Sequence, residues 1–252
     1  MAENNVVIVH GVQTGDDLSA VGGPKKMEQT LTSFVANRAE FSVAYPAYEH
    51  LNEEAQSSIK LINKLILSRL NKPAEMVVDK LIDIVGDVYG YEKTGVGEKI
   101  RDFVRAEIEK HPNCILLGHS LGSVVSFDIL MDMFGEGLFK GKKITEWPVR
   151  SFITFGSPLA LDMFSKKRQL LNHEGNETFY WFNYSDRNDP VISGNIFGNE
   201  FKSNNMLRDA YQDPSGNTLI EDYQVETGFH LLSHVNYWDQ DQIIAQIANN
   251  FA

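Results

Sequence analysis

The 252-residue sequence has only one cysteine, Cys114, so no internal disulfide can form. Cys114 opens the apolar run 114–117 (CILL), which is typical of a buried strand. A thiol in such a place behaves as a small, inert hydrophobic side chain. This cysteine usage favours a reducing compartment.

Long apolar runs are also missing. A membrane-spanning helix needs roughly 18 or more apolar residues, and no stretch of the sequence approaches that length. The run 6–9 (VVIV) is too short for the apolar part of a signal peptide, and residues 1–5 (MAENN) carry no basic cluster. We therefore predict a cytoplasmic protein without a transmembrane segment.

Basic residues are scarce beside acidic ones: 23 Lys and Arg stand against 34 Asp and Glu, for a formal net charge of -11. A surface of this sign repels phosphate backbones and anionic membranes, which excludes nucleic acid as an expected partner. The hydrophobic share of 42% excludes a disordered or fibrous chain. The length fits one domain, so we predict that residues 1–252 form a single domain.

Short apolar runs alternate with helical patterns along the chain. Residues 24–38 have helical spacing, with Met27, Leu31 and Phe34 on one face, and a closing helix is predicted at about 240–249. Such alternation predicts an α/β fold with a mainly parallel central sheet flanked by helices, whose ligands collect at the carboxyl ends of the strands. The predicted strands are 6–9, 41–45, 114–117, 149–155, 179–184 and 223–227.

Residues 53–111 are mostly helical in pattern and longer than one crossover helix requires, so a helical insertion is predicted before the strand at 114–117. One interpretation is a mobile cap that offers apolar surface to a lipid-like or acyl substrate. We prefer packing on the sheet or on a partner chain, which is the ordinary fate of amphipathic helices, and a homo-oligomer remains an option. The apolar stripes are Ile59, Ile62, Leu65, Ile66 and Leu70, then Met76, Val77, Leu81, Ile84 and Val85.

Residues 118–122 (GHSLG) match the pattern G-x-S-x-G between a predicted strand and a predicted helix. In that setting a strained turn exposes the serine oxygen above the sheet, and the helix that follows adds a positive dipole end. The setting disfavours a glycine-rich turn with an incidental serine. We therefore predict that Ser120 is a nucleophile.

A serine hydroxyl needs a general base, and the base needs a carboxylate that fixes its tautomer. In hydrolases with this turn the chain order is serine, acid, histidine. Three histidines follow Ser120, and His173 lies in the polar stretch 171–176, which reads as a solvated loop. We favour His234 as the base over His230, which we interpret as structural.

Two aspartates, Asp186 and Asp189, lie in the loop after the fifth predicted strand. Asp189 precedes Pro190, which disfavours the α conformation there and helps to fix it as a loop residue. Asp162, after the fourth predicted strand, is a further option. We predict Asp189 as the acid, and we interpret Asp186 and Asp162 as solvated turn residues.

The oxyanion of acyl transfer needs two donors, and the residue after the nucleophile, Leu121, supplies one through its backbone amide. The loop 10–15 (HGVQTG) should supply the second, and we choose Val12 with Gln13 close behind. His10 and His119 are interpreted as structural.

No cluster in the sequence has metal-ligand spacing. Residues 95–97 (GVG) lack the third glycine and the preceding strand of a dinucleotide-binding loop. Neither a metal nor a cofactor is therefore expected.

Several segments, in order, resemble bacterial serine esterases and lipases of the α/β-hydrolase superfamily. The similarity runs from the first strand to the histidine loop and implies an α/β-hydrolase fold, a Ser120, Asp189, His234 triad and hydrolysis of a carboxylic ester, with a lipid or thioester as further options. The chain starts at the strand that feeds the oxyanion loop, which suggests a compact sheet without extra leading strands. The segments are 9–11 (VHG), 86–89 (GDVY), 118–122 (GHSLG), 155–159 (FGSPL), 188–191 (NDPV), 233–234 (SH) and 237–238 (YW).

The leading interpretation is an esterase or lipase that forms an acyl-enzyme on Ser120. A thioesterase or acyltransferase would keep the same triad. A different class is a non-catalytic binding protein on a hydrolase scaffold, since a fold alone never proves catalysis. That class predicts a missing triad member or an occluded serine.

Overall fold

The computed structural model describes residues 4–11, 23–36, 39–48, 51, 91–92, 95–134, 148–168, 179–192, 206–212, 219–228 and 233–251. The strands are β1 (Asn4–Val9), β2 (Phe41–Ala44), β3 (Cys114–His119), β4 (Val149–Phe155), β5 (Tyr180–Ser185) and β6 (Ile220–Gln224). The helices are α1 (Pro24–Val35), α2 (Val96–Lys110), α3 (Leu121–Phe134), α4 (Asp162–Ser165), α5 (Met206–Ala210) and α6 (Asp241–Asn249).

The six strands form one sheet in the order β2-β1-β3-β4-β5-β6, and every neighbouring pair is parallel. This confirms the predicted α/β fold with a parallel sheet. The strand order changes direction at β1, because β2 lies on one side of it and β3 on the other. Open parallel sheets bind ligands outside the carboxyl ends of the strands at such a switch point. The end of β3, where residues 118–122 lie, is therefore the expected place for a site.

Helices cover both faces of the sheet, which explains why its strands read as continuous apolar runs. Side chains alternate between the faces, so Val7 and Val9 pack in the core with α2 and α3. Val6 and Ile8 pack on the opposite face with α1 and α6. Each such side chain contributes about 1.5–3 kcal/mol when it is fully buried.

The apolar face of α1 differs in part from its prediction. Met27 and Leu31 are buried as expected, but Phe34 is 47% exposed and Val35 takes its place in the core. A spacing of four residues continues the line from Met27 through Leu31 to Val35. The helix also ends earlier than residue 38, since Ala36 adopts a left-handed conformation with φ 45°.

The last strand also lies earlier than predicted, at Ile220–Gln224 rather than 223–227. The amide of Val225 still reaches the Ser185 carbonyl, 3.0 Å away. The amide of Thr227 instead donates to the Asp186 carboxylate, so the chain leaves the ladder there. The Asp186 carboxylate thus ends β6 by accepting from the Thr227 amide. The strand propensities of residues 223–227 do not reveal this acceptor.

Of the predicted insertion, residues 91–92 and 95–111 are described. They include α2, whose residues Ile100, Val104 and Ile108 are buried against the sheet and α3. The apolar stripes between residues 59 and 85 lie outside the described residues. No helix in the described ranges is both long and apolar enough to cross a membrane.

Candidate active site

Ser120 forms the turn between β3 and α3. Its φ is 52°, in the left-handed region, which costs a non-glycine residue of order 1–3 kcal/mol. Two backbone hydrogen bonds hold the turn: the Ser120 amide donates to the Phe155 carbonyl at 3.3 Å, and the Ser123 amide donates to the Ser120 carbonyl at 3.0 Å. The strained turn predicted from the sequence is therefore present at the predicted serine.

The two glycines of residues 118–122 allow close packing around this turn. A Cβ atom on Gly118 would lie 2.7 Å from the Cα of Ser123, within the tight turn itself. A Cβ atom on Gly122 would collide with the carbonyl oxygens of Val9 and His10, because α3 begins directly against the end of β1. A side chain at either position would push the turn away from its place above the sheet.

The backbone after β1 lies against Ser120. A Cβ atom on Gly11 would be 2.6 Å from the Ser120 Cβ and 3.0 Å from its Oγ. The backbone amide of Leu121 is the predicted first donor to the oxyanion. Leu121 is the first residue of α3, so this amide has no acceptor within the helix. Val12 and Gln13, the candidates for the second donor, lie outside the described residues.

His234 lies between Ser120 and Asp189 and contacts both through its ring nitrogens. Its Nε2 is 2.9 Å from the Ser120 Oγ, and its Nδ1 is 2.8 Å from the Asp189 Oδ2. A carboxylate only accepts, so Nδ1 carries the proton and Nε2 is free to accept the serine hydroxyl. The three predicted residues, each after a different strand, thus form one hydrogen-bonded chain at the carboxyl end of the sheet.

The same three residues are almost fully buried: Ser120 and His234 are 1% exposed, and Asp189 is 0% exposed. Burial lowers the local dielectric constant and strengthens the interactions among them. An occluded serine is also what the non-catalytic scaffold interpretation predicts.

The Asp189 carboxylate receives further hydrogen bonds. The Val191 amide donates to Oδ1 at 2.8 Å, and the Tyr237 hydroxyl donates to Oδ2 at 3.0 Å. Burial, and then the nearby Asp189 charge, raise the pKa of Tyr237 well above its ordinary value. The sequence resemblance includes Tyr237 but implies no role for it.

Asp186 is not the solvated turn residue that the sequence suggested. It is 1% exposed and accepts from the Asn188 amide at 2.8 Å and from the Thr227 amide at 2.6 Å. The Thr227 hydroxyl lies 2.8 Å from Asp186 and 2.7 Å from the Ser233 carbonyl. Asp186 therefore braces the segment that carries His234. By contrast, the Asp162 side chain is exposed and pairs with Lys166.

The two histidines interpreted as structural have partners that fit such a role. The His119 Nε2–H donates to the His234 carbonyl at 2.8 Å, and the two rings lie 4.9 Å apart. Burial, and then the neighbouring His234, hold the pKa of His119 well below its ordinary value, so its ring stays neutral. The His10 Nδ1 lies 2.6 Å from the carbonyl oxygen of Gly11, the residue whose backbone lies beside Ser120.

Other candidate groups contribute little to this site. His173 and His230 lie outside the described residues. Burial raises the pKa of the Cys114 thiol to about 12, so it is not a nucleophile at neutral pH. Within the described ranges, no group of three or more His, Cys, Asp or Glu side chains has the arrangement of a metal site.

Comparison with known proteins adds no relative. No protein-family model matches the chain, and the curated sequences contain no significant match to it.

Proposed function

We propose that the protein is a serine hydrolase of the α/β-hydrolase fold that cleaves carboxylic esters of small, lipid-like acyl substrates. The observation that carries the proposal is the hydrogen-bonded chain from the Ser120 Oγ through His234 to Asp189. Serine nucleophiles are activated by this arrangement on several unrelated folds. The order of the three residues along the chain is the one found in α/β-hydrolases.

The reaction proceeds through an acyl-enzyme. The Ser120 Oγ bonds to the carbonyl carbon, its proton moves to the His234 Nε2, and the carbonyl π electrons move to the oxygen. The tetrahedral adduct then breaks its bond to the leaving alkoxide, which takes the proton from Nε2. Water attacks the acyl-enzyme by the same two steps and releases the carboxylic acid and free Ser120. Asp189 stays ionised and stabilises the imidazolium.

Two backbone amides would stabilise the tetrahedral oxyanion. The Leu121 amide lies at the first residue of α3, where the helix dipole favours negative charge. We expect the second donor from Val12 or Gln13, because they directly follow Gly11, whose backbone lies beside Ser120. Removal of one such donor typically lowers kcat by about 10²–10³-fold.

One observation favours a second function. Ser120 is 1% exposed, as expected of a protein that keeps the hydrolase scaffold only to bind a partner. A thioesterase or acyltransferase uses the same triad and differs only in leaving group or acceptor. The first test must therefore ask whether Ser120 reacts at all.

The test is labelling of the purified protein with a fluorophosphonate probe, with the adduct located by peptide mass spectrometry. We expect the label on Ser120 and its loss in both Ser120→Ala and His234→Ala. Ser126→Ala is a matched control, because Ser126 is another buried serine, located within α3. It should label like the wild type. Absence of label on the folded wild-type protein would support the binding scaffold instead.

Ester turnover provides the quantitative measure. We expect hydrolysis of p-nitrophenyl esters, and a loss of kcat on the order of 10⁶-fold in Ser120→Ala, as found when a serine nucleophile is removed. The thermal unfolding midpoint should stay close to that of the wild type. Turnover of thioesters, or transfer to an added alcohol, that exceeds ester hydrolysis would reassign the reaction within the same mechanism.

We also propose that the protein acts in the cytoplasm. Its single cysteine is buried and unpaired, which suits a reducing compartment. Fractionation of cells that express the protein would test this, and recovery in an exported fraction would contradict it.

A further inference from the structure

Tyr237 connects the two buried aspartates that follow β5. Its hydroxyl oxygen lies 2.9 Å from the Asp186 amide nitrogen and 3.0 Å from the Asp189 Oδ2. An amide only donates and a carboxylate only accepts, so the direction of both bonds is fixed. The Asp186 N–H donates to Tyr237, and the Tyr237 O–H donates to Asp189.

We infer that Tyr237 is a positioning residue for the proposed triad, which orients the Asp189 carboxylate and limits the positive charge that His234 accumulates. The inference rests on the proposed function. It adds a fourth side chain, located on the same segment as the base, that no sequence motif assigned to the reaction.

The geometry explains how a hydroxyl on Asp189 acts on His234. The Tyr237 O–H and the His234 Nδ1–H donate to the same oxygen, Oδ2. The positive end of the O–H dipole therefore lies close to the imidazole ring and disfavours a positive charge there. Removal of the hydroxyl leaves the carboxylate to interact more strongly with the imidazolium, so activity should require a higher pH.

Within the described residues, the titratable groups on or next to His234 come from four segments. Asp189 after β5 and His119 at the end of β3 contact His234 directly. Asp186 and Tyr237 lie behind Asp189, and His10 after β1 lies near His119. Burial keeps the pKa of Tyr237 high, so it remains a donor at neutral pH. Burial keeps the pKa of His119 low, so its ring stays uncharged.

The conservative variant Tyr237→Phe removes the hydroxyl and keeps the ring, which packs beside His119 and Phe155. Tyr211→Phe is the matched control. Tyr211 is equally buried, and its hydroxyl donates to the Leu159 carbonyl at 3.0 Å, away from the triad. Tyr237→Phe loses two buried hydrogen bonds and Tyr211→Phe loses one, so both variants should lose stability. A purely structural effect should leave the pH midpoint unchanged in both.

The experiment measures the second-order rate constant of fluorophosphonate labelling against pH for the wild type and both variants. In Tyr237→Phe we expect the acid limb to move to higher pH by about half a unit, the size of one net hydrogen bond. Tyr211→Phe should keep the wild-type midpoint. An unchanged midpoint in a Tyr237→Phe protein that still labels would overturn the inference and leave the proposed function intact. A folded wild-type protein that never labels would overturn both.

A second substitution guards against a Tyr237→Phe protein that does not fold. Incorporation of 3-fluorotyrosine at position 237 keeps the shape of the side chain and makes its hydroxyl a stronger donor. The acid limb should then move to lower pH, opposite to its movement in Tyr237→Phe. A shift in the same direction, or none, would mean that Tyr237 acts through packing alone.

Discussion

Two polar clusters are attached to helix α3, and they are built differently. The proposed triad begins at Ser120, immediately before the helix. The second, which we name the ion-pair cluster, consists of Arg168, Glu92 and Asp128. Arg168 donates to Asp128 through Nε and a terminal nitrogen, each at 2.7 Å, and to Glu92 at 2.9 Å.

The difference lies in what a proton can do. Arginine keeps its proton at any ordinary pH, so the ion-pair cluster holds fixed charges that join residues 91–92, α3 and the segment after α4. In the proposed triad, the proton of the Ser120 hydroxyl can move to the His234 Nε2 during the reaction. Fixed charges hold elements in place, whereas a transferable proton supports chemistry. Loss of the ion-pair cluster should therefore lower the stability of the fold. Loss of the proposed triad should lower the rate of ester turnover.

Among the variants that compare the two clusters, Asp189→Asn should have the largest effect. The amide no longer fixes the His234 tautomer, and the corresponding change in a serine protease lowers kcat by about 10⁴-fold. We expect a loss of that order in ester turnover, with a thermal midpoint close to that of the wild type.

Asp186→Asn is the control for that change. Asp186 braces Thr227 and the His234 segment without bonding to His234 itself, so this variant should lose stability and keep most of its turnover below its melting temperature. If Asp186→Asn lost more turnover than Asp189→Asn at a temperature where both are folded, the acid would have to be reassigned.

The next effect is on stability. Arg168→Met leaves the carboxylates of Glu92 and Asp128 without their shared cation, and removal of one partner of a buried ion pair costs about 3–5 kcal/mol. Because these side chains keep some exposure, we expect about 2–3 kcal/mol less free energy of unfolding in urea, with an unchanged labelling rate on Ser120.

Lys166→Met is the matched control, since the Lys166–Asp162 pair is largely exposed. Surface pairs contribute about 0–1 kcal/mol, so little change is expected. A loss of labelling in folded Arg168→Met protein would show that the two clusters are not separate in function.

The smallest effect concerns His119 and pH. Its pKa in the folded protein is held below the ordinary value of about 6.5, so below that pH the unfolded chain binds a proton that the folded protein does not. The contribution of His119 therefore lowers stability by up to about 1.4 kcal/mol per pH unit as the pH falls below 6.5.

In His119→Gln this dependence disappears, while an amide N–H remains available for the His234 carbonyl. Urea unfolding at pH 5 and pH 7 should give a smaller difference in free energy for the variant than for the wild type. Parallel losses in the two proteins would show that His119 takes up its proton normally when folded.

The sequence predicted those parts of the molecule that depend on local pattern. The buried strands read directly as apolar runs, and residues 118–122 combine a turn, the proposed nucleophile and a helix start within five positions. The neighbourhoods of Asp186 and Tyr237 could not be predicted, because their partners come from distant segments. Thr227 lies 41 residues from Asp186, and Tyr237 lies 48 from Asp189. The sequence around a polar residue that follows a strand is the same whether that residue is exposed to solvent or covered by another loop.

The buried face of α1 could be predicted only in part from the sequence. Phe34 and Val35 are both apolar and adjacent, so spacing alone allowed either to face the core. In the folded protein Val35 packs in the core, because it continues the four-residue spacing from Leu31. The larger ring of Phe34 is left partly exposed to solvent.

The distance along the chain between Ser120 and His234, 114 residues, has a consequence for biosynthesis. A ribosome releases Ser120 well before the base that would activate it. Domains of this size form long-range contacts late, and β6 joins the sheet at its edge. Throughout translation the nascent chain therefore carries an ordinary alcohol at position 120. If the proposed function holds, a serine that can attack esters appears only when the edge of the sheet is complete, and unfinished or misfolded copies are chemically silent.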